Sequence, residues 1–337
     1  MRRRDVPPRQ HRQRDTALRT TPLGIRSRLM EARRPPDWPH QERRSIPYFP
    51  DALPEPADRD PTAYMFVEDI GLGILPNGCE VRLEPAHEAQ TIAAIFPTRD
   101  ELFRERFSER INDFIEESAR SLAERGEFWY ELVRPPAGMA DPTPPFVLAR
   151  LPPGKITPLP WWFIQHVPGP SRARAGRGYI AIPRRDTWHV TLPSELGTPR
   201  EHRTLVRFLG SSLFPPELAL EAMRPGATTG YDFTVHRQAH QALVAAATRR
   251  WGWTGRGIWS EESSQYFMDY RAIRFRRAQV LIRTHIINEV NTLLEREGIT
   301  ARIIVEGLTT TDMIDTMLSR LREGTATTDE ALNLLRQ

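Results

Sequence analysis

The chain is 337 residues long, with 39% hydrophobic and 27% charged residues and a formal net charge of +4. That length can bury a sizeable core as one large or two medium domains. No apolar run approaches the roughly 18 residues of a membrane span, and the single cysteine, Cys79, excludes both a disulfide framework and a multi-cysteine zinc site. The basic N-terminus has no apolar stretch behind it, so no secretory signal is expected, and a reducing cytoplasm is the natural compartment.

Residues 1–44 hold 13 arginines against 5 acidic residues, a net +8 that leaves −4 on the remainder. Pro7, Pro8, Pro35, Pro36 and Pro39 favour an unstructured arm in isolation. Its charge suits contact with nucleic acid or an acidic neighbouring surface, with Arg2, Arg3 and Arg4 as candidate contacts, and a solvated tail fits equally well. Residues 45–97 read as loops with two or three short strands, including 64–67 and 91–96. Gly71, Gly73 and Gly78 imitate a nucleotide-binding loop only loosely, because no G-K-[ST] follows, and a strained turn is the plainer reading.

The first firm element is a helix over 99–125, with Thr98 and Glu101 at capping-box spacing and Gly126 as its stop. Leu102, Phe103, Phe107, Ile111, Phe114, Ile115 and Leu122 form its stripe, and it would span roughly 40 Å. Its charged face is expected to be solvated or to meet a neighbouring subunit. Residues 127–192 read as β, with strands at 128–133, 146–151, 161–167, 179–182 and 187–192. The loop 168–178 places Arg172, Arg174 and Arg177 between two strands, where they could grip phosphate, although most basic hairpin tips are only solvated.

A helical stretch at 198–223, broken at Pro215 and Pro216, precedes another helix at 238–250. His236 and His240 are four apart, a spacing that could set both imidazoles on one metal. No H-E-x-x-H pattern or third ligand accompanies them, so a surface or interface pair is the plainer reading, and no metal or cofactor is expected. Trp251, Trp253 and Trp259 could stack on bases, but packing on the core or between subunits suits them better.

The C-terminal quarter is the most informative part. A long amphipathic helix runs over 264–297 and stops at Gly298, with Tyr270, Ile273, Val280, Ile286, Ile287, Val290, Leu293 and Leu294 at helical spacing. A β-branched strand at 299–305, a helix from Thr311 to a stop at Gly324, and a capped turn with Thr327 and Glu330 follow. So long a helix cannot bury its stripe on so short a strand and needs neighbours from elsewhere in the fold or from other subunits. Arg271, Arg274, Arg276, Arg277 and Arg283 crowd its first half. Arg274 and Arg277 share a face that could line a DNA passage, and acidic partners are an equal reading. His285 and Glu289 are an ordinary i, i+4 pair.

The run RAQVLIRTHIINEVNTLL, then ITARIIVEGL, then TTDMIDTMLSRLREGTATTDEALNLL resembles the C-terminal portion of tailed-phage portal proteins. Upstream, FIEESARSLAERGEFWYELVRPPAG resembles the portal helix that enters a strand, and FVLARLPPGKITPL with YIAIPRRDTWHVTL resembles the strand series after it. The resemblance implies an α+β, portal-like fold with long helices, a small β-rich region and assembly as a ring. It divides the chain into a basic arm (1–44), a wing-, stem- and clip-like body (45–260) and a crown-like region (261–337). It further implies a non-enzymatic, dodecameric head–tail connector of a virion or gene transfer agent, sited at a capsid vertex and assembled in the host cytoplasm. Implied partners are double-stranded DNA, terminase, adaptor and major capsid proteins, and no membrane. Two alternatives stand beside it: a metal-dependent nucleic-acid enzyme using His236 and His240, and another virion structural protein such as an adaptor or minor capsid component.

Overall fold

Apolar residues three and four apart dominate the first described segment, and they wind it into a helix. The computed structural model describes residues 61–75, 79–97, 106–135, 144–151, 156–167, 178–210, 233–255 and 264–336, with only the backbone at 61, 233–237 and 336. All of these belong to one compact unit, Pro39–Gln337. Helix α1 (Pro61–Leu72) buries Ala63, Phe66 and Ile70 on one face. The strand β1 (Glu80–Glu84) alternates exposed and buried residues, and α2 (Ala89–Ile95) buries Ile92, Ala93 and Ile95. The helices α1 and α2 stand where strands were expected at 64–67 and 91–96. A short apolar run does not separate a strand from a buried helical turn, and here the i, i+4 pair of Phe66 and Ile70 decides.

Helix α3 (Phe107–Arg125) begins later than its periodicity suggested. Arg106 is extended, with φ −104° and ψ 110°, so the helix spans roughly 28 Å rather than roughly 40 Å. Thr98, Glu101, Leu102 and Phe103 lie outside the described residues. The end is as expected: Gly126 takes φ 78° and its N–H reaches the Leu122 carbonyl. The polar face of α3 is drawn into the fold. Arg110 Nε donates to the Phe96 carbonyl at 2.7 Å, and Glu117 pairs with Arg150.

Directly after Gly126 comes β2 (Glu127–Val133), central in an antiparallel sheet of order β3–β2–β7. Its neighbours are β3 (Val147–Arg150) and β7 (Thr187–Thr191), and Trp129 lies opposite His189. Both faces of β2 are covered. Phe128, Tyr130 and Leu132 join the main core with Phe114 and Trp188, while Trp129 packs edge-on against Phe163 at 4.7 Å in a separate cluster. Phe163 belongs to a second antiparallel sheet made of β4 (Ile156–Pro158), β5 (Trp162–His166) and β6 (Tyr179–Pro183). Of these, β4 was not foreseen, because its proline-bounded three residues show no alternation.

Helix α4 (Pro199–Leu209) opens with a capping box between Thr198 and Glu201. It carries His202 into the core, 2% exposed, where Nε2 donates to the Ala123 carbonyl at 2.7 Å. Helix α5 (Phe233–Ala247) follows, and the turn after it inserts Trp251 and Trp253, each 5.2 Å edge-on from Phe66. Those two tryptophans are therefore core residues, and Trp259 lies outside the described residues.

Helix α6 (Gln265–Arg296) is capped by Ser264 and released at Gly298, φ 77°. Its apolar stripe is covered from within the chain, on two flanks. Ala278, Ile282, Ile286, Val290, Leu293 and Leu294 enter the main core. Ile273 and Val280 pack instead with Ile314, Leu318, Leu321, Ala331 and Leu334. These come from α7 (Thr311–Arg322) and α8 (Thr328–Arg336), the latter opened by a box in which Thr327 N–H reaches Glu330 at 2.8 Å. Between α6 and α7, β8 (Arg302–Glu306) pairs antiparallel with β1. The Asn291 side chain on α6 takes both backbone groups of Ile303, at 2.8 and 3.0 Å, and so acts as a further strand.

Two predictions follow from this packing. Gly252 holds φ 80°, and a Cβ there would meet the Phe275 backbone nitrogen of α6 at 2.5 Å. Gly298 holds φ 77° with nothing within 4 Å of the same position. Gly298→Ala should therefore cost about 1 kcal/mol in urea unfolding, from backbone strain alone, and Gly252→Ala roughly 3 kcal/mol or more, from strain plus overlap. Burial, assisted by the Arg203 charge, lowers the His202 pKa from 6.5 to about 4. The unfolded ring binds a proton below pH 6.5 and the folded ring does not until about 4, so stability is full above that window and falls through it as acid is added. The loss from this ring should reach about 2 kcal/mol at pH 5, and His202→Phe should flatten the pH dependence of unfolding across that range.

Candidate assembly surfaces and the arginine cluster

Arginines on a long helix read as surface residues in the sequence, yet three of those on α6 are buried. Arg271, 5% exposed, donates through Nη2 to the Trp253 carbonyl at 2.5 Å and to Thr248 Oγ1 at 3.2 Å. Arg276 donates to the Gly73 carbonyl at 2.5 Å. Arg283, 2% exposed, donates to the Thr309 carbonyl at 2.6 Å and to Ile74 at 3.5 Å. Burial, joined by the Arg274 and Arg249 charges at Arg271 and by Arg276 at Arg283, lowers both guanidinium pKa values to about 10. Burial lowers Arg276 as well. Each therefore remains charged at neutral pH, held by carbonyl dipoles. The three staple the turn after α5, the loop after α1 and the entry to α7 onto one helix.

The same helix carries the candidate DNA contacts Arg271, Arg274 and Arg277. Arg271 is engaged inside the chain. Arg277 forks onto Asp315 of α7 at 2.5 and 3.0 Å, a bond that raises its pKa. Arg274 is half-buried, with its guanidinium 5.9 Å from the centre of the Tyr270 ring. Gly71 and Gly73 are not in the left-handed region, so neither supplies the strain expected there. They are glycines because side chains arrive where a Cβ would sit: Arg120 at Gly71, and Gln279 at Gly73 on its way to the Asp69 carbonyl at 3.0 Å.

The remaining candidates divide in two. Arg2, Arg3, Arg4, Arg172, Arg174, Arg177 and Gly78 lie outside the described residues, as does the side chain of His236. His240 is half-buried, and among the described residues no group of three or more His, Cys, Asp or Glu could hold a metal ion. His285 does not depend on Glu289: its Nε2 donates to the Thr191 carbonyl at 2.8 Å, tying α6 to β7.

One surface was not singled out by sequence reasoning. In the β4–β5–β6 sheet, Phe163, Ile180 and Ile182 point to the interior against Trp129, Leu151 and Val167. Alternation turns Trp162, Ile164 and His166 of β5 and Tyr179 and Ala181 of β6 to the other side. There Trp162 is 46% and Tyr179 61% exposed, and Trp161 in the β4–β5 turn is 79% exposed. The backbone beneath them is fixed: Leu159 N–H reaches the Trp162 carbonyl at 2.8 Å and Arg184 N–H the Trp161 carbonyl at 3.1 Å. Thr157 Oγ1 lies 2.9 Å from His166 Nε2 across the same face. The legible signal was the Trp161-Trp162 pair at the start of an alternating run.

Truncating a buried arginine removes methylenes and strands carbonyl acceptors together. Arg283→Ala should lower unfolding stability by roughly 3 kcal/mol, whereas Arg274→Ala should cost less than about 1 kcal/mol. Urea titrations of the two variants check the contrast, and equal costs would contradict the stapling role.

No family model matches the sequence, and no curated protein matches it. Among solved structures, a chain from the neck of an empty gene-transfer-agent (GTA) particle, computed with C6 symmetry, is similar at TM-score 0.43 and 12% identity, over 87% of this chain and 96% of that one.

Proposed function

We propose that this chain is a structural, non-enzymatic subunit of portal type. Copies close into a ring, dodecameric by resemblance, at one vertex of a capsid. The ring passes double-stranded DNA during packaging and ejection, and it meets terminase, adaptor and major capsid proteins. Residues 1–44 serve as a basic arm, 45–260 as the wing, stem and clip, and 261–337 as the crown-like end.

The observation that carries this reading is the order of elements along the segments that resemble portals. Helix α3 passes through Gly126 straight into β2, with no loop between. At the other end α6, β8, α7 and α8 succeed one another with short connections, each helix stopped or capped at the glycine or threonine the sequence supplies. Charge distribution agrees with it. Outside the N-terminal arm the chain is net negative, and a channel wall of that sign avoids the counterion release that would make DNA cling at every step. The cover for α6 comes from its own chain, so ring closure must be built on other surfaces.

Particle mass tests the proposal. The purified full-length chain, concentrated under assembly conditions, should run as a closed oligomer of a single size by native mass spectrometry and show a central hole in negative stain. A chain that stays monomeric at every concentration sinks it.

A further inference from the structure

We infer that the bare aromatic face of the β4–β5–β6 sheet is the surface by which one copy of this chain docks on the acidic body of the next. The inference rests on the ring reading proposed above and names the contact that would close it. The sheet's inner side is already filled by the Trp129 cluster, so its outer side is the one left over. That side is apolar at its centre, with Trp162, Ile164, Ala181 and Tyr179, and Trp161 stands beside it. Arg184 and Arg185 follow directly after β6; the Arg185 side chain is 84% exposed and 3.9 Å from Asp186, and the Arg184 guanidinium lies 5.8 Å from the centre of the Phe163 ring. An apolar centre with a charged border, rich in Trp, Tyr and Arg, is the anatomy of a protein–protein contact. Trp161, Trp162 and Tyr179 thus stand exposed on and beside one small sheet, and contiguous apolar surface rimmed by polar groups marks interaction sites.

Charge identifies the occupant. Residues 152–185 contain six basic residues and no acidic one, while the arm 1–44 carries +8, which leaves −10 on everything else. A basic segment that carries the docking face and an acidic remainder on the same chain are complementary between copies, and that complementarity cannot be satisfied by pairing two identical faces. Such a contact is heterologous, head to tail, and a heterologous contact repeated with the correct rotation closes into a ring. A nucleic-acid strand would also meet rings and cations here. It would, however, leave the apolar Ile164, Ala181 and Leu159 without apolar partners.

The experiment compares the full-length chain with the triple variant Trp161→Ser, Trp162→Ser, Tyr179→Ser and with Arg184→Glu, Arg185→Glu, by native mass spectrometry and thermal unfolding. The expected result is a closed oligomer for the parent chain and a monomer for the triple variant, with the unfolding midpoint retained because the removed rings are exposed. The charge-reversed pair should dissociate at a concentration at least tenfold higher than the parent. If the triple variant still closes rings of the parent mass, the inference falls and the ring reading stands. If the parent chain is itself monomeric, the ring reading falls and takes the inference with it. If the triple variant keeps its ring but loses retention on single-stranded DNA, the face is a nucleic-acid site and the inference is overturned. A single photo-crosslinking residue, p-benzoylphenylalanine in place of Trp161, guards against misfolding of the triple variant. It should join two copies of the chain through an acidic segment, and an adduct to nucleic acid alone, or none in an assembled ring, overturns the proposal.

Discussion

The long helix α6 is the member on which the remainder is hung, and what fixes it is a set of cations bonded to main-chain carbonyls. Arg271, Arg276 and Arg283 reach Trp253, Gly73 and Thr309, which belong to three separate stretches of chain. A buried cation without a carboxylate is expensive to desolvate, and its bonds must return most of that cost. The Nε atoms of all three have no partner, so the balance is narrow and depends on each carbonyl being held in place. That demand runs outward. Gly73 has to lack a side chain for Gln279 to pass, and Gly252 has to turn left-handed against the backbone of α6. The apolar flanks supply most of the burial, while the arginines set the register of the loops.

A second consequence concerns where the chain has surface to spare. Both faces of β2 and both flanks of α6 are consumed internally. Among the described residues the β4–β5–β6 sheet has one filled side and one open, aromatic side, and it lies within a segment free of acidic residues. That segment therefore combines a basic charge with the exposed side chains of Leu159, Trp161, Trp162 and Tyr179. The two patterns have different physical origins, one electrostatic and one hydrophobic, and their coincidence gives the small sheet its interest.

Legibility in the sequence followed the length of the periodic signal. The start near Ser264, the stop at Gly298 and the box at Thr327 and Glu330 could all be read directly, because those signals are local and redundant. The strands expected in the β-rich region were placed to within a residue or two at each end, and β4 was missed. Short runs misled: residues 64–67 and 91–95 are helical, since a few apolar residues satisfy both periods. The buried arginines were illegible for a different reason. Nothing local distinguishes Arg283, facing the Thr309 carbonyl, from Arg274 beside Tyr270. The difference is made by loops that are remote in sequence. The cover for α6 was likewise left open between the fold and other subunits, and α7 and α8, together with the main core, supply it.

The pairing of β1 with β8 sets a timetable for the growing polypeptide. Glu80 lies opposite Glu306, so the early strand leaves the ribosome long before its counterpart exists. At about 5 to 20 residues per second, that interval is roughly 10 to 45 seconds. Throughout it β1 is an open edge, the kind of backbone that recruits stray strands from other molecules. The alternating glutamates and Arg82 of that strand are charged toward solvent, and charged side chains are one of the devices that blunt an open edge.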